Sequence, residues 1–286
     1  MVQFFVPLAL AFIATPTYYL KFESNKERQL TDSTTECIKT TVDLICKAIG
    51  SQKTRCASRN FYIETSVKSE DPTTPMDTLL EEKHVKTSWE CSSGKLYYCQ
   101  PFEIIFNETG VTSLLMSNRL KKDRISTIWD IANQMNFIWI QNLISNKTSV
   151  QEVTTYGECM AEIKIEESNN DERPRTRLFE TNNFVKSGMV SIFKKIRDVD
   201  SCSKGHSKVS DAGSSSLKSF VHTVNITEYK FKSCIENEVQ LSFTGKSLSD
   251  KYNNCLSVDR IENLSIDKSL SDIDDSDYVS VPFLSA

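Results

Sequence analysis

The sequence predicts a mainly β (α+β) protein in which a strongly curved, barrel-like antiparallel sheet wraps around one long central helix. Two observations lead to this fold class. Many short segments alternate apolar and polar residues, as half-buried strands do, and one segment, about 124–145, is apolar on almost every side. A helix of that composition has to be buried all round. Antiparallel strands that curl around the helix would cover it and would also pair their own edges.

The overall composition is that of an ordinary globular chain. Its 286 residues suffice for a sizeable core, and the net charge of -4 gives no basic excess of the kind that nucleic-acid binding needs. Glycine is scarce, at 8 residues, which disfavours glycine-rich phosphate loops. We therefore expect no nucleic-acid partner.

Residues 1–16 resemble a secretory signal peptide. An apolar run from Phe4 to Ala14 is followed by small residues, which places a cleavage site between Ala14 and Thr17, although no Lys or Arg precedes the run. A membrane anchor is the alternative, but the run is too short to span a bilayer comfortably. The sequence thus predicts a secreted, extracellular protein with no transmembrane segment in the mature chain.

Cysteines and glycosylation sequons agree with export. In an oxidising compartment most cysteines pair, and because their number is odd, at least one must be free or join a partner outside the chain. The cysteines are Cys37, Cys46, Cys56, Cys91, Cys99, Cys159, Cys202, Cys234 and Cys255. The four Asn-x-Ser/Thr sequons predict glycosylation at Asn107, Asn146, Asn225 and Asn263.

Strand patterns fill the chain before the predicted helix. Residues 18–23 and 60–67 read as strands, and residues 36–49 fit either a strand or a short amphipathic helix. Cys91 and Cys99 flank a turn, so they could form a disulfide if the two strands place them nearly opposite each other. Residues 102–116 form a second hairpin, which puts Asn107 on its polar face.

The central helix is predicted from three-and-four spacing of apolar residues that include Trp129, Met135 and Trp139, which we take as core residues. A partner-binding helix and a membrane span are alternatives. Asp130 and the Asn and Gln residues of the segment disfavour the membrane.

Further strand patterns follow the helix. Residues 150–165 alternate sharply, and strands are also predicted within residues 187–199, 219–234 and 238–245. The Ser- and Asp-rich residues 263–286 are predicted to be a disordered tail. The predicted globular domain therefore covers residues 17–262.

No catalytic motif is present. The three histidines, His84, His206 and His222, lie in a charged run, a flexible loop and a strand pattern, and no nucleophile-elbow, zincin, P-loop or dinucleotide motif occurs. The acidic stretch near Asp272 lacks the Gly and the distal Glu of an EF-hand. We expect no enzyme activity, no catalytic residue, no cofactor and no metal site.

Four segments in order carry a family resemblance. They are the hairpin PFEIIFNETGVTSLLM, the W-x-x-A-N beginning at Trp129, the YGEC ending at Cys159, and the KIRDVDSC ending at Cys202. Together they resemble the amino-terminal domain of vitellogenins and related large lipid transfer proteins. The resemblance extends over about residues 18–243, and its specific part is 102–202.

The resemblance implies a curved antiparallel sheet around a helix and a disulfide between Cys159 and Cys202; the alternative is that each pairs elsewhere. It also implies a role in receptor recognition or in contact with lipid-bearing modules. Family members carry further domains that enclose the lipid cavity, and these do not fit in 286 residues. We therefore expect a short stand-alone member.

The function predicted from the resemblance is that of a non-catalytic binding module. Its candidate partners are a protein receptor, a lipoprotein or a bound lipid. The alternative is an unrelated secreted, cysteine-braced effector, such as an immune or salivary factor, that binds a protein partner. The odd cysteine count favours the alternative, since a spare thiol could be disulfide-linked to a partner.

Overall fold

The structure is a computed structural model. It describes residues 17–31, 33–50, 52–69, 85–90, 100–107, 110–136, 139–140, 148–154, 157–169, 187–203, 207–210, 213–243, 246–262 and 277–283. The first sixteen residues, predicted to be a signal peptide, lie outside this set.

Nearly all described elements are strands, and all strand pairs are antiparallel. The strands before the helix are β1 (Thr17–Thr31), β2 (Thr34–Ile49), β3 (Lys53–Ser69), β4 (Val85–Glu90), β5 (Phe102–Asn107) and β6 (Gly110–Ser117). Helix α1 (Lys122–Met135) comes next. The later strands are β7 (Ser149–Thr154), β8 (Gly157–Asn169), β9 (Met189–Asp198), β10 (Ser207–Ser210), β11 (Gly213–Ile226), β12 (Phe231–Phe243), β13 (Lys246–Glu262) and β14 (Tyr278–Pro282).

The strands form one 14-stranded sheet whose two ends do not pair. Its order is β14-β6-β5-β3-β2-β1-β13-β12-β11-β9-β8-β7, with β4 beside β3 and β10 beside β11. The predicted barrel closure is therefore wrong: the sheet is open, with β14 and β7 as its edges. Long central strands twist and coil, so one face can bury a helix without hydrogen bonds between the edges.

The prediction of one long helix over 124–145 is also wrong. Helix α1 has 14 residues and ends at Asn136, whose backbone angles (φ -87°, ψ 71°) leave the helical region. The Asn136 side chain instead accepts a hydrogen bond from the backbone N–H of Val111, at 3.3 Å. Asn side chains compete in this way with helical backbone bonds. Residues 137–138 and 141–147 lie outside the described residues.

The face of the sheet that carries the core and α1 is called the inner face here. Alternate residues of β1, Tyr18, Leu20 and Phe22, are buried on it, as the alternation in the sequence predicts. Helix α1 contacts β6, β12 and β13. Met135 and Trp139 are buried in the same core, and Trp129 packs against it. Of the apolar residues of the predicted helix past Asn136, Trp139 and Ile140 are described, and both are buried although α1 has ended.

The end of the predicted disordered tail is a strand. Residues Tyr278–Pro282 form β14, which pairs with β6, and the following Phe283 is buried. The ring of Phe283 stacks on that of Trp129 with centroids 4.7 Å apart. For these residues the prediction of disorder is wrong, because one buried aromatic side chain anchors a segment whose composition is otherwise polar.

Among the described residues, no helix has the length and apolar character needed to cross a membrane.

Replacing Phe283 with Ala tests how firmly β14 is held. We expect F283A to lower the free energy of unfolding by about 3 kcal/mol, since it removes a buried aromatic side chain and its stacking contact with Trp129. Urea unfolding without reductant measures the change. Val279→Ala is the matched control, because Val279 lies on the same strand and is 45% exposed. Equal effects of the two substitutions would show that the Trp129–Phe283 stack does not hold the strand.

Candidate functional site

Two groups of charged side chains lie at the inner face, among buried residues of the sheet. The first, called the Glu152 cluster, consists of Glu152, Lys195 and Arg197 with the ring of Phe220 beside them. The second, called the rim cluster, consists of Lys26, Arg28, Asp130, Asp250 and Tyr252. Helix α1 contacts β13, which carries Asp250 and Tyr252 of the rim cluster.

Strand alternation positions the Glu152 cluster. In β9, Ser191, Phe193, Lys195 and Arg197 share one face, and all four are buried. Glu152 lies on the edge strand β7, and its carboxylate accepts hydrogen bonds from Lys195 Nζ and from Arg197 Nε, both at 2.6 Å. The single carboxylate of Glu152 on β7 thus binds two cations on β9, and β8 lies between these two strands.

Aromatic rings complete the surroundings of the cluster. The Arg197 guanidinium carbon lies 3.9 Å from the Phe220 ring centroid. Lys195 Nζ lies 5.4 Å from the same centroid and 5.8 Å from that of Trp139. Both distances are within the range of cation–π attraction, which strengthens when water is excluded. The aromatic rings therefore stabilise positive charge that hydrogen bonding alone leaves incompletely compensated.

Burial and charge act against each other on these groups. Burial by itself would raise the pKa of Glu152, but the charges and hydrogen bonds of Lys195 and Arg197 outweigh it and lower this pKa. Burial lowers the pKa of Lys195, although the carboxylate of Glu152 opposes the change. The Glu152 cluster therefore contains two buried basic side chains, Lys195 and Arg197, and one acidic side chain, Glu152.

A hydrogen-bonded chain joins β11, β12, α1 and β13 beside this cluster. His222 Nε2 lies 2.8 Å from Ser233 Oγ, which lies 2.8 Å from the backbone carbonyl oxygen of Gln134. Gln134 Nε2 in turn donates to the carbonyl oxygen of Asn254, at 2.6 Å. Ser233 has a single hydroxyl proton, and Gln134 takes it as acceptor. His222 must therefore donate from Nε2.

His222, the histidine in this series of hydrogen bonds, is neutral. Burial, together with the charges of Lys195 and Arg197, lowers the pKa of His222 well below its usual value. Its ring packs edge-on to Trp139 with centroids 5.3 Å apart. His222 is thus engaged in holding α1 on the sheet, which is a structural use of its polar atoms.

The rim cluster is formed by paired residues of β1 and β13 together with Asp130 of α1. The buried Asp250 receives Lys26 at 3.4 Å, Arg28 at 3.5 Å and the Tyr252 hydroxyl at 3.0 Å. Asp130 of α1 faces the same group. Burial raises its pKa to about 7, and the charge of Lys26 only partly offsets this. The Asp130 carboxyl therefore titrates near neutrality.

Three disulfides are present in the described residues. One joins Cys159 to Cys202, the pair that the family resemblance implies. Cys46–Cys56 and Cys234–Cys255 each join residues directly opposite in neighbouring strands. Cys37 is a free thiol in the part of the chain described, and Cys91 and Cys99, the other predicted pair, lie outside it.

The sequons differ in setting. Asn107 is exposed at the end of β5, as its polar-face position predicts, whereas Asn225 is partly buried near the end of β11, where it is paired with both neighbouring strands. Asn146 and Asn263 are outside the described residues, as are His84 and His206. Of the acids and histidines described, no group of three or more could hold a metal ion.

Sequence reasoning did not single out Glu152, Lys195 or Arg197. A signal was present, because Lys195 and Arg197 alternate in step with Phe193 and so fall on the apolar face of β9. Charged residues at such positions are exceptional and point to a buried pair. The partner on β7 carried no comparable signal.

The comparisons with known proteins support the fold. No family model matches the sequence, and no curated protein does. A solved structure of lipovitellin, concerned with lipid–protein interactions, matches with a TM-score of 0.56 and 8% sequence identity. The match covers 92% of this chain and 26% of the lipovitellin chain. The chain therefore has a vitellogenin-like fold and corresponds to about a quarter of that larger chain.

Asp130→Asn tests the setting of Asp130. A carboxyl whose folded pKa is about 7 binds its proton more tightly in the folded state, so ionisation costs stability as pH rises from about 4 to 7. We expect D130N to be more stable than the unchanged protein by about 1–3 kcal/mol at pH 8 and equal to it near pH 4. Urea unfolding across this range measures the difference. Glu162→Gln, on the exposed face, should show no such trend, and parallel profiles for D130N and wild type would contradict the assignment.

Proposed function

We propose that this chain is a secreted, non-catalytic binding module of the vitellogenin type, whose partner is a protein receptor, a lipoprotein or a lipid. The observation that carries the proposal is the likeness to lipovitellin along 92% of the chain. The lipovitellin structure concerns lipid–protein interactions, and the motifs that resemble vitellogenins fall on β5, β6, α1, β8 and β9. Fold and motif order thus point to the same family independently.

Disulfides support export. Cross-links of this kind persist in oxidising compartments and are rare in the cytosol. Cys46–Cys56, Cys159–Cys202 and Cys234–Cys255 brace three separate parts of the sheet. Together with the signal-like residues 1–16, they favour a protein that folds during secretion.

The use of the buried polar groups supports binding rather than catalysis. His222 is neutral and hydrogen-bonded within the core, and Glu152 is occupied by two cations. A general acid or base must instead reach the reacting group of a substrate. We therefore propose that the chain has no catalytic residue and needs no cofactor.

The test uses the chain expressed with its own leader and purified from the medium without reductant. We expect lipid in an organic extract of the protein, or co-flotation with isolated lipoprotein particles in a density gradient, or saturable binding to cells that take up lipoproteins. The reduced, alkylated and unfolded chain is the control for nonspecific adsorption. Absence of all three forms of binding would overturn the proposal.

Cys37 favours a second candidate function, that of a secreted effector linked to a protein partner or to a second copy. The thiol lies on β2 opposite Glu27 and Ser66, is only partly buried and has no disulfide partner among the described residues. Such a thiol can form an intermolecular disulfide, which a buried structural cysteine cannot do easily.

Electrophoresis under non-reducing and reducing conditions tests this candidate. A species of higher mass that reductant removes, and that Cys37→Ser abolishes, would support a linked partner. Cys37→Ser should leave the folded monomer unchanged, since Cys37 takes no part in the core cluster. A monomer in both lanes would remove the argument for a linked partner.

A further inference from the structure

The Glu152 cluster is unbalanced in charge. Lys195 and Arg197 both bond to the one carboxylate of Glu152, and the side chains of Lys195 and Arg197 are 4% and 0% exposed. A buried charge without a counter-charge costs several kcal/mol unless a partner compensates it. Within the described part of the chain, no second acid is paired with either cation, so one positive charge remains uncompensated.

The uncompensated positive charge can be assigned to two nitrogen atoms of Arg197. Arg197 uses Nε for Glu152. Its two terminal nitrogens, Nη1 and Nη2, are buried and have no hydrogen-bond partner among the described residues. These two nitrogens form the end-on fork of the guanidinium, which matches the two oxygens of a carboxylate. The Phe220 ring centroid lies 3.9 Å from the guanidinium carbon and so packs against the group that carries this fork.

The carboxylate that holds Arg197 comes from the edge of the sheet. Glu152 belongs to β7, the edge strand of the sheet, and its side chain is 14% exposed. Its carboxylate lies 2.6 Å from both Lys195 Nζ and Arg197 Nε. Phe220 and Trp139 lie beside both cations and supply apolar contact.

We propose that Arg197, supported by Lys195, binds the carboxylate group of a ligand end-on through Nη1 and Nη2. The ligand is a small free carboxylate or the carboxylate head of an amphipath such as a fatty acid, since both present the same pair of oxygens. With a fatty acid as ligand, the site deepens the lipid part of the proposed function; with a small free carboxylate, it goes beyond that function. The two failures are distinguishable, because titration tests the Arg197 fork, whereas receptor, lipoprotein and lipid capture test the proposed function.

The test is calorimetric titration of the folded, oxidised protein with acetate, decanoate, decanol and inorganic phosphate, with decanoate kept below its micellar concentration. Binding of both acetate and decanoate supports a site for small carboxylates, and binding of decanoate alone supports the head of an amphipath. No carboxylate binding, decanol binding equal to that of decanoate, or binding of phosphate alone would overturn the proposal.

Variants separate binding from packing. Arg197→Met should reduce carboxylate affinity at least about tenfold, and Arg197→Lys should do so by a smaller factor, since charged hydrogen bonds of this kind carry that much affinity. Lys194→Met is the matched control, because Lys194 is adjacent in sequence but points to the opposite face, where it pairs with Glu166. Its affinity should be unchanged.

The stability of Arg197→Met shows whether a loss of carboxylate binding comes from the missing guanidinium or from disturbed packing. The substitution leaves Glu152 and Lys195 as a balanced ion pair, so the variant should keep the melting temperature of the ligand-free protein within a few degrees. Decanoate or acetate should then raise the melting temperature of wild type and of Lys194→Met but not of Arg197→Met. A large loss of stability in Arg197→Met, with carboxylate binding retained in Arg197→Lys at the full affinity, would show that the fork serves packing alone.

Discussion

The hydrogen bonds of Gln134 decide where helix α1 lies, and the rest of the inner face is arranged around that position. An amide side chain that is buried without partners costs about 1–3 kcal/mol, so α1 is stable only where both ends of the Gln134 amide are satisfied. Asn254 on β13 and Ser233 on β12 provide these partners. Apolar contacts of Ile128, Ile131 and Met135 supply most of the burial, but they are not directional. The polar contacts therefore select one register of the helix on the sheet.

This arrangement also explains why neutral His222 and charged Glu152 are found so close together. Ser233 donates its one hydroxyl proton to Gln134, so its oxygen is left to accept from His222 Nε2, and a neutral imidazole with its proton on Nε2 is that donor. Lys195 and Arg197 lower the pKa of His222 and so help to keep it neutral. Glu152 then offsets part of their charge and ties the edge strand β7 to β9. Removing Glu152 would leave buried positive charge without its carboxylate, which is strongly destabilising.

The sequence predicts local structure well where periodicity is the signal and poorly where distant contacts decide. Alternation places Tyr18, Leu20 and Phe22 on the buried face of β1, as found. The pairing of β1 with β13, which puts residues 17 and 262 side by side, has no local signal. Closure of the sheet depends on such long-range pairing and could not be predicted from alternation. The sequence did not predict the end of α1, because Trp139 continues the apolar pattern and is itself buried. The helix ends at Asn136, whose side chain makes a tertiary hydrogen bond with Val111.

The same distinction holds for the charged residues. The sequence shows that Lys195 and Arg197 occupy apolar-face positions of β9. Their partner Glu152 lies 43 residues before Lys195. Its burial depends on the placement of β8 between β7 and β9. The Cys46–Cys56 pair, by contrast, is 10 residues apart around Gly50, in a left-handed conformation with φ 66°. A hairpin whose register is fixed by its turn brings such cysteines opposite each other, so this pair was open to prediction.

A fall in pH has opposite effects on the contributions of Asp130 and His222 to stability. Asp130, with its raised pKa, contributes stability below neutrality and loses it as pH rises towards 7. His222, with its lowered pKa, contributes stability above about 6.5 and loses it as pH falls, since the unfolded chain then takes up a proton that the core excludes. Between pH 5 and 7 the two dependences oppose each other. A flat pH profile of the whole protein would therefore be the sum of two slopes, and replacing Asp130 would expose the slope that belongs to His222.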